Sequence, residues 1–211
     1  MNKMEFNWTY FNEVPVIGIL RGIPMADIVH ILPLCISAGL RTIEITMNSV
    51  DVKESIAYAI DSFEGQLNLG VGTVCSKEDL EKALSYGASF IVTPNLDEEV
   101  IRLCVNKEIP VFTGAFTPSE IYKAWKLGAS MVKVFPVDNL GPSYIKNVLA
   151  PFENIKLLPT GGIDSSNVQD YFKAGACGVG VSGGLFNKQM ILEKKWDALQ
   201  YHIRKLVSTV K

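Results

Sequence analysis

Eight short runs of β type, separated by helical patterns in strict alternation, restrict the possible folds of this chain more than any other feature. The runs are 16–20, 42–47, 69–72, 90–93, 111–113, 131–135, 156–159 and 178–182, with starts roughly 20 to 27 residues apart. The segments between them carry helix signals. Ser76-Lys77-Glu78-Asp79 sets an N-cap serine before acids, Asp97-Glu98-Glu99 opens another helix, and Thr117-Pro118-Ser119-Glu120 puts proline at a first helical position. A further helix opens at Pro24 and another runs over 165–173. Gly39, Gly87, Gly128 and Gly175 each end a helical pattern and feed the next strand, as C-cap glycines do.

Alternating strands and helices predict a parallel sheet, and eight strands is the number at which such a sheet closes. The expected fold is α/β, a compact (β/α)8 barrel over residues 1–211 as one domain, with 1–14 as a helical extension covering the barrel bottom. An open doubly wound sheet is the competing architecture. Its first turn is usually a GxGxxG, which Leu20-Arg21-Gly22-Ile23 does not supply.

Strand parity then sorts the side chains. In the second run Ile43 and Ile45 share one face, and Thr42, Glu44 and Thr46 share the other. In the sixth, Val132 and Val134 oppose Met131, Lys133 and Phe135. The outward face packs on helices and must be apolar, so Glu44 and Lys133 point inward, late in their strands, where barrel active sites lie. A structural ion pair is one reading of the two. The other is a desolvated lysine whose neutral amine attacks a carbonyl beside a carboxyl that moves protons. Arg21 ends the first strand, where a guanidinium suits a carboxylate or phosphate or joins a surface pair. Thr73 ends the third strand, and Thr93-Pro94-Asn95 ends the fourth.

Two Gly-Gly turns follow the seventh and eighth strands, Thr160-Gly161-Gly162-Ile163 and Ser182-Gly183-Gly184-Leu185. Such turns serve tight reversals, and in these two places they also let backbone N–H groups approach a phosphate. No GxxxxGK[ST] is present, so the expected ligand is a small phosphorylated molecule.

The totals exclude other classes. Net charge is −2 with Lys and Arg scattered, so no nucleic-acid footprint is expected. No apolar stretch is long enough to span a membrane, and the first residues lack the apolar core of a signal peptide, which predicts a cytoplasmic protein. The four cysteines form no CxxC and only His30 and His202 exist, so the cysteines are read as reduced core thiols and no Cys/His metal site is expected.

Taken together, Ile19-Leu20-Arg21-Gly22, Ile43-Glu44-Ile45-Thr46, Gly72-Thr73-Val74, Val92-Thr93-Pro94-Asn95, Thr117-Pro118-Ser119-Glu120, Val132-Lys133-Val134-Phe135-Pro136, Leu140-Gly141-Pro142 and Pro159-Thr160-Gly161-Gly162-Ile163 make the chain resemble the 2-keto-3-deoxy-6-phosphogluconate aldolase family. That family of class I aldolases includes 4-hydroxy-2-oxoglutarate and 2-keto-3-deoxy-6-phosphogalactonate aldolases. The resemblance implies that Lys133 forms the imine and Glu44 is the general acid/base. It implies that Arg21 and Thr73 hold the keto-acid end, Pro94 and Phe135 line the pocket, and Gly161, Gly162, Ser182 and Gly183 cradle the phosphate. It implies no cofactor beyond the covalent imine, no metal, a small phosphorylated keto-acid as substrate, and a homotrimer. Asn48 stands where many phosphogluconate-type members have arginine, which looks more like the phosphogalactonate branch. A sugar-phosphate isomerase or epimerase, or a non-catalytic sugar-phosphate-binding protein, would share the phosphate turns without needing the imine.

Overall fold

The computed structural model describes residues 5–210. Eight strands appear where the sequence places them: β1 (Val16–Leu20), β2 (Thr42–Thr46), β3 (Asn68–Gly72), β4 (Phe90–Val92), β5 (Val111–Ala115), β6 (Met131–Val134), β7 (Leu157–Pro159) and β8 (Val179–Val181). The helices are α1 (Trp8–Glu13), α2 (Met25–Ala38), α3 (Val52–Phe63), α4 (Lys77–Ser85), α5 (Glu98–Asn106), α6 (Pro118–Lys126), α7 (Gly141–Leu149), α8 (Val168–Lys173), α9 (Lys188–Leu192) and α10 (Trp196–Val210). The capping residues act as their types predict. The Ser76 and Asp97 side chains accept from Asp79 N and Val100 N, and Thr117 and Glu120 form a reciprocal capping box. The four glycines before strands all have φ between 86° and 100°, a left-handed conformation that closes a helix without a Cβ clash. Helix α8 starts at Val168 and not at Ser165, because Asp164 and Asn167 hold residues 164–167 in a side-chain-bonded turn.

All strand pairs are parallel, in the order β7-β6-β5-β4-β3-β2-β1-β8. Between β7 and β8 the ring is completed by a single bridge, Thr160 with Gly180, whereas β2 and β3 share five paired positions. This is a (β/α)8 barrel. Its outer core packs strand faces such as Ile43, Ile45, Val132 and Val134 against the helices. Its lower interior is filled by a second cluster containing Ile17, Phe90, Phe112, Met131 and Leu158.

Residues 1–4 of the expected N-terminal extension lie outside the described residues. Within the described part, Phe6 and Phe11 insert into the lower interior cluster, and their rings meet Phe90 and Phe112 at centroid distances of 5.3 and 6.0 Å. Asn7 caps α1 and is tied to the base of β3 by two bonds: its N–H donates to Asn68 Oδ1 (2.7 Å), and Asn68 Nδ2 donates to its carbonyl (2.8 Å). The extension therefore plugs the bottom of the barrel interior. Of the cysteines, Cys35 and Cys104 are buried, but Cys75 and Cys177 are exposed, since each sits in a loop beside a strand end and not on a packed face. Among the described residues no helix is long and apolar enough to cross a membrane.

Candidate active site

Glu44 and Lys133 both face the barrel interior, as parity requires, at 0% and 2% exposure. Small inward residues make room for them. A Cβ on Gly72, the β3 partner of Thr46, would stand 1.6 Å from Glu44 Oε1, so the carboxyl occupies the volume that a β3 side chain would take. Gly114 pairs with Lys133 across β5 and β6. Its missing Cβ admits the Pro94 carbonyl at the end of β4, which brings the Thr93-Pro94-Asn95 turn beside the lysine. Thr93 Oγ1 locks that turn, donating to Asn95 O (2.6 Å) and accepting from Gly114 N (3.1 Å).

Both oxygens of Glu44 are buried without a hydrogen-bond partner. Burial pushes its carboxyl above the usual carboxylate range, against the pull of Lys133 and Arg21. Burial likewise draws the Lys133 ammonium below its usual range, opposed by Glu44 and aided by the like charge of Arg21. Lys133 Nζ lies 5.1 Å from the centre of the Phe135 ring. An unpartnered buried carboxyl is costly to keep, so its persistence points to a group that arrives with a ligand.

At the carboxyl ends of the strands lies a cavity of about 500 Å³, whose lining includes Phe135, beside Lys133, but not Glu44, Lys133, Thr73 or Pro94. Ile19, the register partner of Glu44, lines it together with Arg21, Phe135 and the two Gly-Gly turns. Arg21 is exposed, and its loop is braced from β2, since Ser49 Oγ accepts from Gly22 N (3.0 Å) and contacts Thr46 Oγ1 (2.9 Å). Gly161 and Gly162 have φ of 114° and 63°, conformations natural only to glycine. The backbone N–H groups of Gly162, Ile163, Gly183 and Gly184 have no partner among the described residues, and all four residues line the cavity. Free N–H donors on two glycine turns around one cavity suit an anion. Ser182 lines the cavity, but its hydroxyl proton is spent on Ile19 O (3.0 Å), so it shapes the turn without a free donor.

Thr73 is half-buried, with φ of 60°, strained for a residue bearing a Cβ. Asn48 is exposed and enters no described hydrogen bond. Several site features did not emerge from the sequence. Thr160 is 5% exposed, its hydroxyl is unpartnered, and it lines the cavity. Parity along β7 could have found it, since it shares the inward face with Leu158. The Ser49 brace and the carboxyl-over-Gly72 packing required coordinates. Replacing Gly72 by alanine is expected to force Glu44 out of place and to destabilise the fold by about 1–3 kcal/mol, the range for overpacking, measured by chemical denaturation.

The family model and the curated relatives agree on one family. The family model for KDPG and KHG aldolase matches residues 9–202. The chain is 32% identical over 183 residues to the 2-dehydro-3-deoxy-6-phosphogalactonate aldolase of Escherichia coli (strain K12), covering 86% of this chain and 89% of that one. It is 31% identical over 203 residues to the 2-dehydro-3-deoxy-phosphogluconate aldolase of Haemophilus influenzae, covering 94% and 92%. A solved structure described as native KDPGal superposes with a TM-score of 0.87 at 29% identity, over 98% of this chain and 97% of that one.

Proposed function

The chain belongs to the KDPG and KHG aldolase family, and from that premise we propose that it is a class I aldolase working through an imine on Lys133. The substrate is a 2-keto-3-deoxy-6-phospho sugar acid of gluconate or galactonate type, and the products are pyruvate and glyceraldehyde 3-phosphate. The observation that carries the reading is a buried amine and an unpartnered buried carboxyl in the barrel interior, with Phe135 linking the amine to a cavity that holds four free N–H donors.

The chemistry follows from the parts. The neutral Lys133 amine adds to the C2 ketone, and loss of water gives a protonated imine. Glu44, directly or through one water, takes the C4 hydroxyl proton. The C3–C4 bond breaks, its electron pair passes into the imine, and the aldehyde leaves. The resulting enamine is protonated at C3, and hydrolysis returns the free amine and pyruvate. Arg21 faces the substrate carboxylate, Thr73 and Pro94 border the keto-acid end, and Phe135 lies against the imine. Gly161, Gly162, Ser182 and Gly183 surround the phosphate. The family kinship also supports a homotrimer that needs no metal or added cofactor.

Borohydride added with pyruvate is expected to fix one pyruvyl group per chain, located on the Lys133 peptide by mass spectrometry. A Lys133 peptide left unmodified would remove the imine and favour an isomerase or epimerase.

A further inference from the structure

A cradle of N–H donors works only if its peptide planes are held with their carbonyls turned away, because N–H and C=O point in opposite directions across a trans peptide. Two side chains brace the turns from outside the cavity, the first by holding such a plane and the second by anchoring the end of its turn. Asn167 Nδ2 donates to Gly162 O at 2.8 Å, and Asn167 Oδ1 accepts from Asp164 N at 3.0 Å. His202, on α10, has its Nε2 2.9 Å from Gly184 O. A carbonyl oxygen can only accept, so Nε2 carries the proton and donates. The same peptide is held at its other end, where Leu185 N donates to Ser182 O (2.9 Å). The second glycine of each turn is thus pinned by one side-chain donor, and neither Asn167 nor His202 lines the cavity. The turns also press on each other, since a Cβ on Gly184 would stand 2.0 Å from Ile163 O.

We propose that Asn167 and His202 are positioning residues for substrate phosphate that never touch it: Asn167 fixes the peptide plane that carries the Ile163 N–H, and His202 anchors the Gly184–Leu185 peptide that ends the second turn, on which the Gly183 and Gly184 N–H groups depend. The inference rests on the reading of the Gly-Gly turns as a phosphate site. It makes the C-terminal helix α10, distant in sequence from every catalytic residue, part of substrate selection.

The test is steady-state cleavage of the phosphorylated keto-deoxy acid and of its phosphate-free counterpart by His202→Ala, His202→Gln and Asn167→Ala, with thermal melts as a control on folding. His202→Ala is expected to raise KM for the phosphorylated acid about tenfold, the effect of one lost hydrogen bond. Turnover at saturation and KM for the phosphate-free acid should stay unchanged. His202→Gln, which keeps a neutral N–H donor, should recover most of the loss, and Asn167→Ala should reproduce it from the other turn. Folded variants that raise KM equally for both acids, or for neither, overturn the positioning role while wild-type preference for the phosphorylated acid stands. A wild type with no such preference overturns the phosphate reading itself, and the positioning role with it.

Discussion

Substituting Lys133 with methionine is expected to lower kcat/KM by about 10⁴-fold or more and to raise the melting temperature. The first effect follows from removing the group that bonds to substrate; nucleophile removals in other enzymes lose turnover on this scale. The second follows from where the lysine lies. It is 2% exposed, its Nζ lies 5.1 Å from the centre of the Phe135 ring, and burial already disfavours its charge. Methionine fills much of the same volume without an amine to desolvate, a gain of about 1 kcal/mol. Gain and loss together would mark Lys133 as a residue kept for chemistry. A methionine variant that retained activity, or lost stability, would return it to a structural role. Borohydride trapping should vanish in the same variant.

Glu44→Gln is expected to separate the steps of the cycle. Imine formation keeps its nucleophile, and water can carry the protons needed to expel the carbinolamine hydroxyl, so pyruvate should still be trapped, whereas cleavage should fall about 10²–10⁴-fold with the loss of a general acid/base. Two pH effects accompany it. The charge of Glu44 raises the affinity of Lys133 for its proton. Without that charge the lysine loses its proton more easily, and the acid limb of imine formation moves to lower pH. Stability shifts as well. The folded protein binds the Glu44 proton more tightly than the unfolded chain does, since burial raises its pKa from an ordinary 4.5. That binding favours folding fully below pH 4.5, and the benefit is lost as pH rises through the raised value. Glutamine never ionises. The variant should therefore match the wild type in acid and exceed it at neutral and higher pH, by about 1–2 kcal/mol. Urea denaturation across pH would read this directly, and a variant less stable at pH 8 would contradict it.

Much of this site could be read before any coordinates were seen. Period-two alternation was enough to aim Glu44 and Lys133 inward, because their strand neighbours Ile43, Ile45, Val132 and Val134 had to meet helices. The Gly-Gly turns were visible because glycine leaves a distinctive mark in a loop. The resemblance supplied roles that no periodicity contains. What stayed hidden depends on three-dimensional neighbours. The contact of Gly72 with Glu44 joins two strands whose register no local pattern states. Thr160 looked like part of a turn because a hydroxyl's lack of a partner is a property of its surroundings. His202 read as one more helical residue, since its partner Gly184 lies 18 residues away in sequence.

The closure of the ring has a consequence of its own. Seven joints between neighbouring staves are continuous ladders, and the eighth, between β7 and β8, is one bridge. In the proposed phosphate site, an anion held by Gly162 and Ile163 on one side and by Gly183 and Gly184 on the other would cross that thin joint like a clasp. Ligand occupancy and the integrity of the hoop then become a single equilibrium. Whatever opens the joint releases the phosphate, and phosphate in place resists opening by the mass action of a ligand that prefers the closed form. On the proposed reading, the least-laced part of the barrel is the part that substrate itself would fasten.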